Sequence, residues 1–506
     1  MMNQRVNKRI FLIIMIFCVA LLKAQKNEWT FDKLIQKYQI NRFFNEVFKN
    51  PALMSGFGKY NFSEFKTMYS NIEEEANLIQ KPNQQNSFGL LASSFYPADS
   101  TTTLWGKAGY VNSNQKDIVW NESIDYDLIY PYFTADSVGG NLKNESYNFL
   151  GGYAKSFKKI DFGAQMSYDA TLASRAKDPR IRNISSNLKL KLGMNFKNVL
   201  GENLGFYGAY QKYTQSNSIS FFSEISSPAV YHLNGLGYFN NLLRGTNLEA
   251  FYDGFGYGFG AVSSPFKKKD LWITADFRKL TIGKFLVETL STQISNLKNQ
   301  DFNIAVTKVF NTKNNTFGVK FNYDNNSKTG VESVISARSG IGLAVLAQNE
   351  NYNLKNTVYK LSGIFYRDKK NDVFIVAPYV SYQDYNEDYF LIRSFQYFRY
   401  LEKGVQSNYI RDLGTASFIS SKIHLSYRSV LDQQALLRND NEASLSSMIS
   451  NNNMLLSSNA FNFKLGAEFS HNIKKDLNLF FSIDSDLTNI NSVLNNSILF
   501  STGLRF

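Results

Sequence analysis

From about residue 86 to the end of the chain, apolar and polar residues alternate in segments of roughly ten, separated by connections rich in Asn, Asp, Gly, Ser and Lys. In Leu188–Phe196 every even position is apolar and every odd one is polar or Gly. Ile160–Tyr168, Phe317–Tyr323, Phe461–Phe469 and Leu477–Ile483 repeat the pattern, with Phe480 as the exception in the last. Side chains on a strand change face at each residue, so each segment has one greasy face and one polar face. The polar face carries charges at strand centres: Asp161, Lys189, Lys191, Lys320, Lys464 and Glu468. A soluble sandwich keeps charges near strand ends, whereas strands that are apolar outward and polar inward mark an outer-membrane barrel. The pattern therefore predicts an all-β fold, a transmembrane antiparallel β-barrel. At roughly 26 residues per strand plus connection, it should have about 16 strands, within a range of 14–18 set by even-number closure.

Residues 25–85 read differently. Glu28–Phe48 places Phe31, Leu34, Ile35, Tyr38, Phe43, Phe44 and Val47 at helical spacing, and Phe65–Leu78 is a mixed segment. This predicts a short helical N-terminal periplasmic segment, plug-like or closing one end of the barrel. Ahead of it, Arg5, Lys8 and Arg9 precede the apolar run Ile10–Leu22 and a small residue, Ala24, which is the form of a secretory signal peptide. The expected organisation is a signal peptide at 1–24, the N-terminal segment at 25–85 and the barrel at 86–506. Cys18, the only cysteine, lies within the apolar run after Phe17, which lacks the small residue that lipid attachment would require.

Composition narrows the class further. Aromatic residues make up 15% of the chain while mean hydropathy is −0.29, too polar for a bundle of membrane helices. The net charge of +13 includes the basic leader. Export argues against a nucleic-acid partner, and the surplus suits acidic lipid headgroups, lipopolysaccharide or a basic lumen. Links at 170–184, 215–247 and 429–457 are too long for turns and should face outside, whereas Phe157-Lys158, 197–202 and 472–475 look periplasmic. The last strand places Ile498, Phe500, Thr502, Leu504 and Phe506 on one face, a signal suited to the outer-membrane insertion machinery; an equally polar change at Arg505, on the lumen face, should be better tolerated than deletion of Phe506.

Candidate chemistry is sparse. Lys422, His424, Ser426 and Arg428 share one strand face, and a base beside a hydroxyl could in principle activate it. A lumen wall explains the same residues without catalysis. The expected lumen lining is Lys189, Lys191, Lys320, Lys422, His424, Arg428, Lys464 and Glu468. His232 falls in a loop and His471 at a strand end, so no metal or other cofactor and no enzyme activity is expected. Glycines alternate with aromatics through Tyr252–Gly260 without the Lys-Ser or Lys-Thr of a phosphate loop, which reads as a strand with one bare face. Arg175, Lys177, Arg180 and Arg182 form a basic extracellular loop, either solvated and paired through Asp178 or available to an acidic ligand.

Leu104-Trp105-Gly106-Lys107-Ala108, Trp120-Asn121-Glu122-Ser123, Ile129-Tyr130-Pro131-Tyr132, Ala135-Asp136-Ser137-Val138-Gly139-Gly140, Gly151-Gly152-Tyr153-Ala154 and Asp178-Pro179-Arg180 together resemble a family of Bacteroidota outer-membrane barrels of unknown function. Asn50-Pro51-Ala52 resembles the barrel entry of such families. The resemblance spans about residues 50–260. It implies an accessory in nutrient uptake, of iron or haem among others, or in surface assembly, beside a TonB-dependent receptor and a surface lipoprotein. It supplies no active site. The competing functions are a passive channel or apolar-solute transporter and, last, a barrel hydrolase.

Overall fold

The computed structural model describes residues 47–57, 61–199, 201–223, 228–245, 249–265, 271–287, 291–312, 315–338, 342–369, 371–414, 416–438, 443–474 and 477–506. Eighteen strands form one antiparallel sheet in which each long strand pairs with the next along the chain. The last, β21 (Val493–Arg505), pairs with the first, β1 (Phe62–Glu73), so the sheet closes into a barrel with no free edge at the seam. Closure satisfies the backbone of every wall strand from within the wall, the condition for spanning lipid with strands. Among the described residues no helix is long and apolar enough to cross a membrane.

The alternation becomes the two faces of the wall. In β7 (Arg180–Val199), Leu190, Leu192 and Met194 point outward, Leu192 with 60% of its surface exposed, while Lys189 and Lys191 point inward. Above this apolar band runs an aromatic girdle, with ring centroids 5.2 Å apart for Tyr110–Tyr147 and again for Tyr323–Tyr359. Phe302 and Tyr382 extend it to neighbouring strands. An apolar belt edged by aromatic side chains is what a bilayer boundary selects.

The seam has its own lock. Arg505 donates from Nε to Glu64 at 2.8 Å and from its terminal nitrogens to both oxygens of Glu468 at 2.7 and 3.0 Å. The guanidinium also lies 3.8 Å from the centroid of Phe480. It faces inward as expected, but it is buried instead of open to the lumen, and it bridges three strands.

Three further readings change. The strand count is eighteen, at the top of the expected range rather than about sixteen. The barrel begins at Phe62 rather than residue 86, because β1 and the first residues of β2 (Gln84–Pro97) lie within the segment assigned to the N-terminus. Phe62, Phe65, Tyr69 and Ile72 of β1 recur at intervals of three and four, which mimics a helix. The link expected at 170–184 is mostly wall, since β6 (Ile160–Ser174) and β7 leave only 175–179 between them. The signal peptide and nearly all of the expected helix at Glu28–Phe48 lie outside the described residues.

Candidate functional site: the plugged lumen

Both chain ends of the barrel, Phe62 and Phe506, lie at one rim, with the short link 157–159. Three long links leave the opposite rim: 119–139, 221–248 and 437–459. Of these, sequence reading had located the second and third and overlooked the first. The described parts of all three turn inward. They contribute Trp120, Ile129, Phe133, Tyr231, Leu233, Phe239, Leu445, Met448 and Ile449 to one apolar core with the wall residues Tyr213, Tyr252, Leu280, Ile282, Leu286 and Ile294. The lumen is filled at this level.

The first link is organised by its own backbone. Trp120 N–H donates to Asp136 O at 3.1 Å and Glu122 N–H to Thr134 O at 2.7 Å, with the single helical turn α1 (Tyr126–Ile129) between. A strand pair, β4 (Thr134–Ala135) against β9 (Tyr231–Gly235), joins it to the second link, and β10 (Tyr238–Phe239) completes a three-stranded sheet. His232 lies in β9 and is fully buried there. The third link supplies α2 (Ala443–Leu456), tied down by Asn452 donating to Gln80 Oε1 at 3.0 Å and by Tyr400 Oη donating to Leu456 O at 2.8 Å.

Polar wall groups receive what the apolar core cannot. Arg175 Nη1 donates to both carboxylate oxygens of Glu122 at 2.8 and 2.9 Å, with Asp136 Oδ2 4.0 Å away; all three are buried. Burial above all, and then Asp136, push the Glu122 carboxyl well above its ordinary range, with Arg175 opposing. Asn183 and Asn217 donate to Glu122 O. On the opposite wall, Glu387 accepts from Tyr130, Tyr352, Tyr385 and Gln396. Glu332 accepts from Tyr132, Tyr389 and Asn351. Lys328 Nζ donates to the carbonyls of Asp127 and Tyr130 at 2.6 and 3.0 Å. Gly330 makes room for this: a Cβ there would stand 2.0 Å from the Tyr132 hydroxyl.

The basic segment is thereby redefined. Arg175, read as part of a solvent-facing loop, is a buried anchor of the first link. Asp178 Oδ2 accepts from the backbone of Phe222 and Ser223 at 2.7 and 2.9 Å, and the Arg180 guanidinium lies 4.0 Å from the Phe222 centroid, which fixes the start of the second link. Lys177 is exposed in the connection, and Arg182 is exposed on β7.

From the chain-end rim, a 3₁₀ segment at Pro51–Phe57 packs inside the wall against β5 (Gly140–Ser156), β6 and β7. Asn50 donates to Met194 O and Phe206 O at 3.1 and 3.3 Å, and Lys49 pairs with Asp276 at 2.6 Å. Gly163 admits this turn, since a Cβ would meet the backbone of Ala52 and Pro51 at 2.3 Å.

The remaining wall residues sit where the alternation put them. Lys189, Lys191, Lys320, Lys422, His424, Arg428, Lys464 and Glu468 all lie on inward positions, most of them below the plug. A cavity of about 510 Å³ touches Gln406, Lys422, His424, Lys464, Asp484 and Asp486. His424 Nε2 is 2.9 Å from Tyr379 Oη, which donates to Glu402 at 2.6 Å. The partner of His424 is thus a phenol on a nearby strand rather than Ser426. Lys464 pairs with Asp486, Arg428 donates to Ser458 O, and His471 meets Ser417 at 2.7 Å. Among the described residues no three His, Cys, Asp or Glu side chains are placed to hold a metal. Sequence reasoning missed Glu122, Glu332, Glu387 and Lys328. A signal was present only for the tyrosines of 126–132, which crowd a link with no strand to serve.

Residues 51–506 match the model of a family of unknown function, DUF6850. The chain belongs to that family. None of the curated proteins compared matches the DUF6850 chain. Solved structures similar to it include BauA, the ferric preacinetobactin receptor from Acinetobacter baumannii, at 9% identity over 88% of this chain and 80% of that one, with a TM-score of 0.42. Another is the copper transporter OprC, at 8% identity over 87% of this chain and 80% of that one, with a TM-score of 0.40.

Proposed function

We propose that this chain is an outer-membrane β-barrel that serves as an accessory in nutrient uptake or surface assembly, beside a TonB-dependent receptor and a surface lipoprotein. The observation that carries this reading is the closure of the lumen by three links bonded to both walls, through Arg175 on one side and Glu332 and Glu387 on the other. A passive channel needs a continuous water path. Among the described residues, a cavity within the plug beside Tyr130, Phe133 and Met448 measures about 30 Å³, room for a water or two. The apolar belt and its aromatic girdle support the membrane assignment, with the plugged rim outward. His424 is engaged by Tyr379, which suits a lumen wall rather than a hydrolase.

Planar-bilayer recording on the purified barrel tests the reading. The wild-type protein should insert without a steady ion current. A stable open current at low voltage would sink the closed-barrel reading in favour of the channel. Fractionation to the outer membrane, with faster migration when unboiled, should accompany it.

A further inference from the structure

The outer face of the wall carries charges of its own above the aromatic girdle. Lys212 pairs there with Asp253, and Arg399 with Asp432 at 3.0 Å. Lys279 of β12 (Leu271–Leu286) and Lys298 of β13 (Thr292–Asn311) differ: among the described residues neither has a hydrogen-bond or ion-pair partner. Their strand parity is that of Ile273 and Phe302, which are exposed on the lipid face. The register explains why they are left over. Lys279 stands opposite Tyr257 of β11 (Glu249–Pro265) and Gln300, and Lys298 opposite Thr281 and Thr329 of β14 (Asn315–Arg338). No paired or diagonal position on this face of either lysine holds a carboxylate.

The two lysines are diagonal to each other across β12 and β13, with Cβ atoms about 7 Å apart. Neighbouring like charges cost stability in a sheet unless something of opposite sign is shared between them. A third, Lys355 of β15 (Gly342–Lys369), is exposed across Ser327 and ends the patch, since Asp384 and Asp388 of β16 (Asp372–Tyr389) lie diagonal to it. Height decides what can supply the anion. Lys279 lies two residues beyond Phe277, Lys298 four beyond Phe302 and Lys355 four beyond Tyr359, the last two rings belonging to the girdle. At about 3.3 Å per residue and a tilt of roughly 40°, the lysines stand about 5–10 Å above it. The headgroup layer of a bilayer, about 5–8 Å thick beyond the hydrocarbon core, occupies that level. Gln300, Ser327 and Thr329 add hydrogen-bonding groups between the charges, and the exposed rings of Phe259 and Phe302 face acyl chains beneath them.

We propose that Lys279, Lys298 and Lys355 form a binding site for a phosphate-bearing glycolipid of the outer leaflet, lipopolysaccharide, with one phosphate shared between Lys279 and Lys298. Ammonium groups hold phosphate oxygens through short, charge-assisted hydrogen bonds. A phospholipid brings one phosphate, whereas the glycolipid brings several, which suits lysines spread from β12 to β15, about 14 Å of wall. The inference rests on the reading of an outer-membrane barrel with its plugged rim outward, because that orientation sets the leaflet.

Titration of purified lipopolysaccharide into the detergent-solubilised barrel, followed by native mass spectrometry, tests it. The double variant Lys279→Gln, Lys298→Gln should bind about thirtyfold more weakly than wild type, about fivefold per lysine, while remaining heat-modifiable. Lys279→Arg, Lys298→Arg should keep the affinity, and so should Lys308→Gln, which alters an outward lysine near the chain-end rim. Equal binding by wild type and the double Gln variant, or equal binding of glycolipid stripped of its phosphates, overturns the proposal. Tighter binding of phosphatidylglycerol than of lipopolysaccharide would also overturn it, by making a phospholipid the occupant. Orientation is read separately with an impermeant maleimide on whole cells: an unlabelled Lys177→Cys barrel would put the plugged rim inward and exclude this lipid. A steady bilayer current would defeat the closed-barrel reading and leave the affinities unchanged, so the failures are distinguishable.

Discussion

Arg505 and Glu64, 441 positions apart in the chain, meet at 2.8 Å where the last strand closes on the first. Removing one partner of a buried, hydrogen-bonded ion pair costs about 3–5 kcal/mol, because the charge left behind has neither water nor counter-ion. Arg505→Gln leaves both Glu64 and Glu468 in that position. It should lower the yield of heat-modifiable barrel well below that of a control such as Ser501→Ala. Unchanged yield and melting would mean that the seam is held by its backbone ladder alone.

Strand orientation is tested by a neighbouring pair. Leu190 faces out and Lys191 faces in. A charge on the lipid face costs roughly 2–4 kcal/mol near the midplane. Leu190→Arg should therefore reduce assembly strongly, and Lys191→Leu should leave it near wild type. The opposite ranking, read as folded fraction on unboiled gels, would put the register off by one residue.

The plug should loosen when its anchor is cut. Arg175→Ala leaves the buried Glu122 carboxyl without its hydrogen-bond donor and Asp136 without the cation 4.0 Å away, at a cost of about 1–3 kcal/mol. The wall does not depend on this contact. Limited proteolysis should therefore nick residues 119–139 in the variant and not in the wild type, and bilayer recording should show current that the wild type lacks, while heat-modifiability persists. A variant that remains sealed and resistant would show that the tyrosine contacts to Glu332 and Glu387 suffice.

The same cluster gives the plug a pH dependence of definite sign. Glu122, facing Arg175, Asp136 and the side chain of Asn183, holds its proton above the ordinary glutamate range, chiefly through burial. The docked link thus binds a proton that the undocked one releases. The resulting stabilisation is complete below the ordinary glutamate range and is lost as pH rises through the raised value. Proteolysis of 119–139 should accelerate as pH rises from the ordinary glutamate range, and Glu122→Gln should flatten the profile. Acceleration towards acid instead would contradict the assignment.

Lys284 is the opposite case. It is 2% exposed, among the residues of the plug–wall interface, and among the described residues its Nζ has no hydrogen-bond partner, only the ring of Tyr252 at 5.7 Å. A buried polar group without a partner costs about 1–3 kcal/mol. Lys284→Met keeps the stem and removes the amine, so its melting temperature should rise. A fall would show that the ammonium has a role that its surroundings do not reveal.

The wall was legible because its code is local. Each strand residue faces lipid or lumen by parity, and lipid accepts almost nothing but apolar side chains there, so Leu188–Phe196 announces its two faces without reference to any neighbour. The same rule placed Lys189, Lys320 and His424 inward. It failed at β1, where Phe62, Phe65, Tyr69 and Ile72 fit a helix as well as a strand, and where only pairing with both β2 and β21 selects the extended form. The plug lay beyond such reasoning. A link that folds into a barrel meets a polar inner wall, so its burial requires tyrosines, an acid and amides matched to distant partners rather than an apolar stripe. Arg175 looks like a surface charge until Glu122, 53 residues away, is brought against it. Sequence by itself determined a lipid-facing β-barrel; only the tertiary structure decided that its lumen is shut, because the groups that shut it are complementary to each other and to nothing nearby in the chain.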